Sequence, residues 1–461
     1  MSEDREFSVR GKRVTVAGAA RSGVAAAELL VRRGAHVVLS ETRDRLEEEK
    51  KLRDVGVNLE LGGHRLDSFV NADLVVLSPG VPVSVAVVAA AQQAGVTVIG
   101  ELELASRWLR GRIVAITGTK GKSTTTTLTG KMLEAGGHKV LVGGNIGQAL
   151  SAQVEQSTDD TIHVIETSSF QLETIETFHP WVAVLLNFSP DHLDRHANVE
   201  EYASAKARIF ENQTESDWAV LNADDPAAES LASNARSRRL RFSMHAQLPE
   251  GLFIDGEQIV RRTATGEEAL VPVSSIRLIG RHLFADVLAA CAVAGIAGAD
   301  SAAMTRAVEG FSGLEHALEP VGAVGHVQFV NDSKATNIEA ARRSVEAFDG
   351  GLVAIIGGRF KGGEFRDLAA PLAARGATVV AIGEARPLIR EALGTVVHVV
   401  EADDMRSAVR KAFAAAPPGG TVVLAPACSS FDMFRDYAER GRVFKQEVQA
   451  LESEWNVTRE Q

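Results

Sequence analysis

Short apolar runs alternate with stretches of helical character along most of this 461-residue chain. Apolar runs of four or five residues, bounded by turn residues, are typical of buried strands. Strands that alternate with helices predict a parallel α/β architecture. The runs fall into three groups of four: 14–17, 36–39, 74–77 and 96–99; 112–116, 139–142, 162–165 and 182–186; and 327–330, 352–356, 378–382 and 421–424.

A glycine-rich loop separates the first strand of the second group from a helical stretch at 124–135. In such a loop, backbone N–H groups face an anion, a lysine reaches the terminal phosphates, and a hydroxyl is offered to Mg²⁺. The usual spacing has a glycine five positions before Gly121, where this chain has Ile116, so the loop is shortened. It reads Gly118-Thr119-Lys120-Gly121-Lys122-Ser123-Thr124.

The three groups of strands predict three domains, at residues 1–100, 101–313 and 314–461. We expect Rossmann-like first and third domains, and a central P-loop ATPase domain that contains the glycine-rich loop. The length agrees with about three domains of roughly 150 residues each. A less regular stretch, about 216–275, predicts antiparallel strands added to the central domain, and the charged tail after Glu447 is expected to fray.

Composition narrows the class of protein. The net charge of −11 argues against general nucleic-acid binding, and local basic groups must therefore attract any anionic substrate. Two cysteines, Cys291 and Cys428, are too few for a disulfide framework or a zinc site, and we expect Cys428 to be a small buried residue rather than a nucleophile. The first residues lack an apolar signal-peptide region, and no run of about 18 apolar residues occurs, so we expect a cytoplasmic protein without a membrane span.

Acidic and basic side chains follow the strands near the loop. Glu166 ends a buried strand and is placed to hold Mg²⁺. Asp191 and His192 follow the next strand, at the edge where α/β proteins bind ligands. Lys206 comes four residues after Tyr202, on the apolar face of a helix, where a lysine must reach solvent, pair or lose its charge.

The first domain has the features of a nucleotide site. Its first strand is followed by Gly18-Ala19-Ala20-Arg21-Ser22-Gly23, in which Ala20 replaces the glycine that lets a backbone approach a pyrophosphate, so the indication of NAD is weak. Glu41 ends the second strand and is followed by Thr42 and Arg43. With the turn Ser78-Pro79-Gly80-Val81 at the same edge, these groups fit a nucleoside diphosphate headgroup.

The third domain places polar groups after three of its strands. The last of these strings is expected to start a helix whose N–H groups hold a carboxylate. Together the strings predict a site for a small dicarboxylic amino acid. They are Asn331-Asp332-Ser333-Lys334-Ala335-Thr336-Asn337, Gly357-Gly358-Arg359-Phe360-Lys361-Gly362-Gly363 and Ala425-Pro426-Ala427-Cys428-Ser429-Ser430-Phe431-Asp432.

The shortened loop, read as GTKGKST, resembles the signature of the Mur ligase and folylpolyglutamate synthase superfamily. The strings ETSSFQLE at 166–173 and DHLDRH at 191–196 resemble its metal-binding motifs, and the resemblance runs in order from Gly18 to Tyr437. Such enzymes use ATP to activate a carboxylate as an acyl phosphate, which an amine then attacks. The strings of the first and third domains are similar to those of the branch that adds D-glutamate to UDP-N-acetylmuramoyl-L-alanine in peptidoglycan synthesis.

The resemblance implies a role for residues that match family positions. It also implies a monomer that uses ATP and two Mg²⁺ ions, and a carbamylated lysine at Lys206. The implied catalytic residues are Lys122, Glu166, His192 and Lys206, and the implied metal ligands are Ser123, Glu166, His192 and carbamylated Lys206. The implied ATP-binding residues are Gly118, Thr119, Lys120, Gly121, Lys122, Ser123, Thr124 and Asp332. The implied contacts of the UDP substrate are Ser22, Glu41, Thr42, Arg43, Gly80, Asn145 and His192. The implied D-glutamate contacts are Lys334, Thr336, Lys361, Ser430, Phe431 and Tyr437, of which Phe431 and Tyr437 stand where Leu and Phe are frequent.

Three positions depart from the family on the ATP side. Where the family has the string G-x-H-N-x-x-N, this chain has Leu283 and Asp286 at the two asparagine positions. Where the family has H-R-x-E, this chain has Ala317 at the arginine position. The phosphate and metal positions are intact. The altered positions keep open a catalytically silent nucleotide-binding regulator. Another amide ligase of the superfamily, of the L-alanine-adding or folylpolyglutamate type, is a second alternative, against which the UDP-type first domain speaks.

Overall fold

The structure of the protein, a computed structural model, describes residues 7–191 and 195–460. The chain forms two compact units, one of Met1–Ser275 with Ala285–Val308 and one of Ile276–Phe284 with Glu309–Gln461. The first unit contains two sheets and the second contains one. In the described part of the chain, every helix is too short or too polar to cross a membrane.

The first sheet is parallel throughout, with the strand order β3-β2-β1-β4-β5. The order reverses between β1 and β4, which are buried and adjacent, so their carboxyl ends open a crevice at this switch point. The strands are β1 (Arg13–Ala17), β2 (His36–Ser40), β3 (Asn58–Glu60), β4 (Leu74–Leu77) and β5 (Val98–Gly100). The helices are α1 (Arg21–Arg32), α2 (Glu49–Asp54), α3 (Leu66–Val70), α4 (Ala86–Gln93) and α5 (Glu101–Ser106).

The second sheet has nine strands in the order β14-β13-β12-β11-β10-β9-β6-β8-β7. The strands are β6 (Arg112–Thr117), β7 (Lys139–Gly144), β8 (Thr161–Glu166), β9 (Val182–Leu185), β10 (Trp218–Asn222), β11 (Arg238–Ser243), β12 (Gly251–Asp255), β13 (Gln258–Thr263) and β14 (Gly266–Pro272). The helices are α6 (Lys122–Ala135), α7 (Leu150–Gln153), α8 (Ser169–Leu172), α9 (Val199–Ala207), α10 (Pro226–Leu231), α11 (Phe284–Ile296) and α12 (Ser301–Glu309). Short 3₁₀ helices lie at Val154–Gln156, Arg208–Phe210, Val273–Ser275, Arg281–Leu283 and Phe365–Leu368.

The prediction of antiparallel strands over 216–275 is partly wrong. β10, β11 and β12 continue the sheet in parallel, and β13 pairs antiparallel with both β12 and β14. Helix α10 connects β10 to β11, and a crossover of this kind returns the chain to the same end of the sheet. The sequence prediction missed α10 because six residues are too few to show a clear helical period.

The third sheet has the order β15-β16-β20-β17-β18-β19, and only β15 pairs antiparallel. Its strands are β15 (Glu319–Val324), β16 (Val327–Asn331), β17 (Leu352–Gly357), β18 (Thr378–Ile382), β19 (His398–Glu401) and β20 (Thr421–Leu424). Its helices are α13 (Ile338–Glu346), α14 (Ala369–Ala374), α15 (Arg386–Leu393), α16 (Met405–Ala415) and α17 (Tyr437–Glu460).

Successive residues of the central strand β17 enter two different cores. Ala354 packs in the cluster that contains residues of α13, α14 and α15, whereas Ile355 packs in the cluster that contains residues of α16 and α17. Side chains of a strand alternate between the faces of the sheet, so helices cover both faces. The fraying predicted after Glu447 is wrong as far as Trp455, because α17 buries Leu451 and packs Trp455 against the second cluster.

Each of the twelve predicted apolar runs overlaps a strand, and the α/β class is confirmed. The predicted helix at 124–135 is α6, which begins two residues earlier. The short strands β3, β15 and β19 were not predicted because three to six residues with mixed polarity do not stand out from a loop. The domain boundaries at residues 100 and 313 stay a prediction.

Candidate active site

The glycine-rich loop lies between β6 and α6. β6 extends through Thr117, and the loop proper is only four residues long, which explains why Ile116 stands inside the strand with no exposed surface. The N-cap of α6 is Gly121, whose φ of 83° is left-handed and favours glycine. The helix therefore begins directly behind the loop, and the N–H groups of its first turn give this end a partial positive charge that favours a bound anion.

Hydrogen bonds hold the loop and its lysine. The Asn187 side-chain oxygen accepts from the N–H groups of Thr119, at 3.1 Å, and Lys120, at 2.9 Å. The Lys122 ammonium donates to the carbonyl oxygens of Gly118, at 2.9 Å, and Thr119, at 3.0 Å. The charge of Lys122 is thus held over the loop, in the position from which it can reach a terminal phosphate.

Ser123 and Glu166 form an oxygen-rich pair beside the loop. Glu166 ends β8 next to β6 and is only 2% exposed. Its carboxylate accepts from the Ser123 hydroxyl at 2.6 Å and from the Asn145 side-chain amide at 2.8 Å. A Cβ on Gly144 would lie 2.5 Å from the Glu166 carbonyl oxygen, so only a glycine lets the strand β7 end this close and place Asn145 on the carboxylate.

The donor set fits a magnesium ion. Mg²⁺ prefers hard oxygen ligands and is usually bound by one or two carboxylates together with substrate phosphates. Over residues 7–191 and 195–460, no three His, Cys, Asp or Glu side chains converge into a metal-binding group. Ser123 and Glu166 are thus the described residues that would hold the ion, and His192 lies outside the described residues.

Lys206 is buried at the back of the loop. Helix α9 leaves it 1% exposed, so the side chain does not reach solvent, and the predicted position on the apolar face is confirmed. Its ammonium donates to the Gly118 carbonyl oxygen at 2.9 Å and lies 4.7 Å from the centre of the Tyr202 ring. Burial, and then the charge of Lys122, lower the pKa of Lys206 to about 7, which makes the neutral amine accessible near neutral pH.

A further carboxyl group packs against the loop. Asp286, in α11, is 4% exposed, and its Oδ2 has no hydrogen-bond partner among the described residues. A Cβ built on Gly121 would lie 2.9 Å from the Asp286 Cγ and closer still to Oδ1. Burial raises the pKa of Asp286 to about 8, so the group is largely protonated at neutral pH. The sequence marked Asp286 as a departure but did not show that it touches the loop.

The first sheet opens a cleft of about 300 Å³ at the switch point between β1 and β4. The Glu41 carboxylate accepts from the Ala19 N–H at 2.7 Å, from Arg43 at 3.1 Å and from the Thr42 N–H at 2.9 Å. Burial alone would raise its pKa, but hydrogen bonds from Arg43, Ala19 and Thr42 lower it to about 2. Glu41 thus stays ionised and fixes the Arg43 guanidinium at the cleft. The lining residues are Gly18, Ala19, Ala20, Glu41, Thr42, Arg43, His64, Ser78, Gly80, Val81, Pro82 and Val85.

Two residues change the predicted picture of this cleft. Ser22 lies in the first turn of α1 and is absent from the lining, whereas Gly80 belongs to it. Sequence reasoning missed His64, whose Nδ1 lies 2.8 Å from the Ser40 hydroxyl and which lines the cleft. It follows a short strand that the apolar pattern did not reveal, so no signal in the sequence pointed to it.

In the second unit, the predicted amino-acid contacts follow three neighbouring strands. Lys334 and Thr336 come after β16, Lys361 after β17, and Ser430 after β20, which lies between the other two. Carboxyl ends of parallel strands meet at one edge of a sheet, so these residues share that edge. Lys334 and Lys361 are exposed, whereas Ser430 is buried.

The predicted helix directly after Asp432 is wrong. Turns occupy 431–436, and α17 begins only at Tyr437. The backbones of Arg359 and Ser429 form two hydrogen bonds with each other, so the chain is still paired at Ser429 and the helix begins further on. Phe431 and Tyr437 remain exposed at 64% and 42%. Cys428 is fully buried, and burial raises its pKa to about 12, as expected for a structural cysteine.

Models of three Mur ligase domains match the chain: the Mur ligase MurD-like N-terminal domain at residues 12–100, the Mur ligase middle domain at 116–294, and the Mur ligase glutamate ligase domain at 318–428. The UDP-N-acetylmuramoylalanine–D-glutamate ligase of Acidobacterium capsulatum is 46% identical over 449 residues, which cover 96% of this chain and 97% of the relative. The chain belongs to the Mur ligase family. The enzyme of the same name from Koribacter versatilis is 43% identical over 448 residues, covering 96% of this chain and 99% of that one.

Solved structures agree with the Mur ligase fold. The UDP-N-acetylmuramate-alanine ligase of Thermotoga maritima superposes with a TM-score of 0.59 at 18% identity, covering 95% of this chain and 99% of that one. A pseudomurein peptide ligase type C from Methanothermus fervidus gives 0.57 at 18% identity, covering 96% of this chain and 100% of that one. The α/β fold in three domains, predicted from the sequence, is confirmed.

One buried residue of this Mur ligase escaped the sequence prediction. Arg440 is 1% exposed and donates to the hydroxyl and carbonyl oxygens of Ser333, both at 2.9 Å, and to the Cys428 carbonyl oxygen at 3.1 Å. Within the described residues its guanidinium forms no ion pair with a carboxylate. Its charge therefore acts on the loops after β16 and β20, which it joins.

The Mur ligase residues around Ala317 are also held inside the second unit. Asn331 donates from its side-chain amide to the Glu319 carboxylate at 2.9 Å, and the same nitrogen lies 2.9 Å from His316 Nδ1. Asp332 accepts from the Leu318 N–H at 3.2 Å and from a serine hydroxyl of α13. Burial raises the pKa of Asp332 to about 6. Ala317 itself adds no polar group to this network.

Proposed function

We propose that this protein uses ATP to join D-glutamate to UDP-N-acetylmuramoyl-L-alanine, a step of peptidoglycan precursor synthesis. The γ-phosphoryl group passes from ATP to the carboxylate of the alanine, which yields ADP and an acyl phosphate. The amine of D-glutamate then attacks the acyl carbon, the bond to the phosphate oxygen breaks, and the amine loses a proton. The observation that carries the proposal is the group of Lys122, Ser123, Glu166 and Lys206 around one loop, in a chain whose named relatives are D-glutamate ligases.

Phosphoryl transfer depends on positioning and on charge neutralisation more than on covalent help. Lys122 brings a fixed positive charge to the loop, and the N-terminus of α6 adds the partial positive charge of the helix dipole. Ser123 and Glu166 would hold Mg²⁺, which supplies further neutralisation of the phosphate charge when it is bound. Asn145 orients Glu166 by donating to its second oxygen.

We also propose that Lys206 is carbamylated. Its neutral amine attacks CO₂, a C–N bond forms, and one proton leaves, so the side chain becomes an anion. The burial that lowers the pKa of Lys206 to about 7 makes the nucleophilic amine available for this step. The carbamate and His192 are the groups proposed for a second Mg²⁺.

Two further sites follow from the same assignment. The cleft lined by Glu41, Thr42, Arg43 and Gly80 is proposed for the UDP moiety, with the Arg43 guanidinium facing the pyrophosphate. The D-glutamate site proposed in the second unit uses the cations of Lys334 and Lys361 for the two carboxylates, with Thr336, Ser430, Phe431 and Tyr437 completing it.

Asp332 is proposed to contact ATP. We further propose a cytoplasmic monomer that binds no nucleic acid.

Phosphate release tests the function. We expect release to require ATP, Mg²⁺, UDP-N-acetylmuramoyl-L-alanine and D-glutamate together, with each omission reducing it to background. Equal turnover with L-alanine or a diamino acid in place of D-glutamate would contradict the assignment and favour another ligase of the superfamily. Nucleotide binding without phosphate release for any amino acid would favour a silent regulator instead.

A further inference from the structure

Three residues that each have an unpaired buried polar atom line a small cavity in the first unit. The cavity lies where the turn after β4, the start of α5 and the helix α8 meet, and its volume is about 10 Å³. Ser78, Glu101 and Gln171 line it, and each of these residues is only 1–2% exposed. The Ser78 hydroxyl, Glu101 Oε2 and Gln171 Nε2 have no hydrogen-bond partner among the described residues.

The other side-chain oxygen atoms of Glu101 and Gln171 already accept hydrogen bonds. Glu101 Oε1 accepts from the Ser151 N–H at 2.6 Å. Gln171 Oε1 accepts from the Ser168 N–H and hydroxyl, each at 3.0 Å, in the capping box that starts α8. These bonds hold the side chains in place, so the unpaired atoms of Glu101 and Gln171 cannot turn away to find another partner.

We propose that this cavity binds one ordered water molecule, which bridges Ser78, Glu101 and Gln171. A buried water needs two to four polar partners and about one water-sized space, and the cavity meets both requirements. The Gln171 amide donates to the water oxygen, and the two water hydrogens are available to Glu101 Oε2 and to the Ser78 hydroxyl. Three buried groups that would otherwise stay unsatisfied thereby gain hydrogen bonds.

The bridge connects the cleft of the first sheet, which is proposed for the UDP moiety, with the segment that follows Glu166. Ser78 also lines the cleft of the first sheet, and its turn continues to Gly80. Gln171 belongs to the helix that begins three residues after Glu166. The water therefore ties the wall of the cleft to the segment that follows Glu166, without a direct bond between the two protein segments. The bridge goes beyond the proposed function and does not depend on the reaction.

A high-resolution crystal structure of the full chain without substrates is the first test. We expect one water within hydrogen-bonding distance of Ser78 Oγ, Glu101 Oε2 and Gln171 Nε2. A direct hydrogen bond between Glu101 and Gln171, or a dry cavity, would overturn the proposal. Because this measurement needs no activity, its failure is distinguishable from a failure of the proposed reaction.

The second test compares two serine-to-alanine variants by hydrogen–deuterium exchange. Ser78→Ala removes a partner of the water, whereas Ser157→Ala removes a buried hydroxyl that lies outside the cavity lining and donates to the Arg110 carbonyl oxygen at 2.8 Å. In Ser78→Ala we expect amide exchange at 78–81 and 168–172 to accelerate by about tenfold, because the bridge weakens. Ser157→Ala should leave exchange at 168–172 close to that of the parent. Equal acceleration in both variants would overturn the tie between the two segments.

Discussion

The carboxyl group of Asp286 packs against the α-carbon of Gly121, which is the N-cap of helix α6 and the last residue of the glycine-rich loop. No larger residue fits at position 121 while Asp286 is present, because its Cβ would collide with the carboxyl oxygen. In the family string this position of α11 holds an asparagine. Asp286 can donate a hydrogen bond as an amide does only while it is protonated, and its pKa of about 8 permits this at neutral pH.

We predict that ATP binding by this protein weakens as the pH rises through about 8. Below that value Asp286 is neutral, whereas above it the group ionises and places a negative charge beside the loop that is proposed to bind the phosphates. We expect the KM for ATP to rise by about fivefold or more between about pH 7 and about pH 9, with a smaller change in kcat. Steady-state kinetics over this range would measure it.

Asp286→Asn provides the control for this pH dependence. Its KM for ATP should stay nearly constant across the same pH range, and any change that Lys206 causes should remain in both proteins. Identical pH profiles for the parent and Asp286→Asn would show that another group is responsible.

Lys122→Ala should lower kcat by about a thousandfold or more while leaving the fold intact. A charge aimed at the transferring phosphoryl group lowers the activation barrier by several kcal/mol, and each ~1.4 kcal/mol corresponds to a tenfold change in rate. The exposed Lys131, on the same helix, offers a matched control, because Lys131→Ala removes the same charge away from the loop. A near-normal rate for Lys122→Ala would mean that the loop does not hold the reacting phosphates.

The proposed carbamate on Lys206 predicts a distinct spectroscopic signal. After equilibration with ¹³C-labelled bicarbonate, the protein should show one ¹³C carbamate resonance that is absent in Lys206→Ala. Lys206→Ala should also have weak activity that a small added carboxylic acid partly restores, because the acid replaces the lost anion. Full activity of the parent in CO₂-free buffer, without the resonance, would argue against the modification.

The departures on the ATP side predict a raised KM for ATP and weak discrimination between ATP and GTP. Leu283 and Ala317 cannot supply the hydrogen bonds of an asparagine and an arginine. A lost bond to a neutral group costs about 0.5–1.5 kcal/mol, and more where a charge is involved. The combined change Leu283→Asn, Asp286→Asn and Ala317→Arg should lower the KM for ATP. No improvement in ATP binding by this triple variant would refute the explanation.

The sequence allowed the position of Lys206 to be predicted, but it did not reveal Arg440. The spacing of Lys206 from Tyr202 placed it on an apolar helix face, and the structure buries it there. Arg440 stands in a stretch rich in charged residues, which is typical of a solvent-exposed helix face. Two loops bury it: one contains Ser333, more than a hundred residues earlier in the sequence, and the other contains Cys428, before α17 begins. No local sequence pattern contains that information.

By itself, the sequence determined the α/β class, the phosphate loop and the acid at the end of β8. Each of these depends on local order, because a strand, a tight turn and a helix N-terminus are specified by consecutive residues. Tertiary structure alone decided that β10 to β12 are parallel, that Asp286 packs against Gly121, and that Ser78, Glu101 and Gln171 line one cavity. These relationships join segments distant along the chain, and burial then sets their pKa values and leaves their polar groups in need of partners.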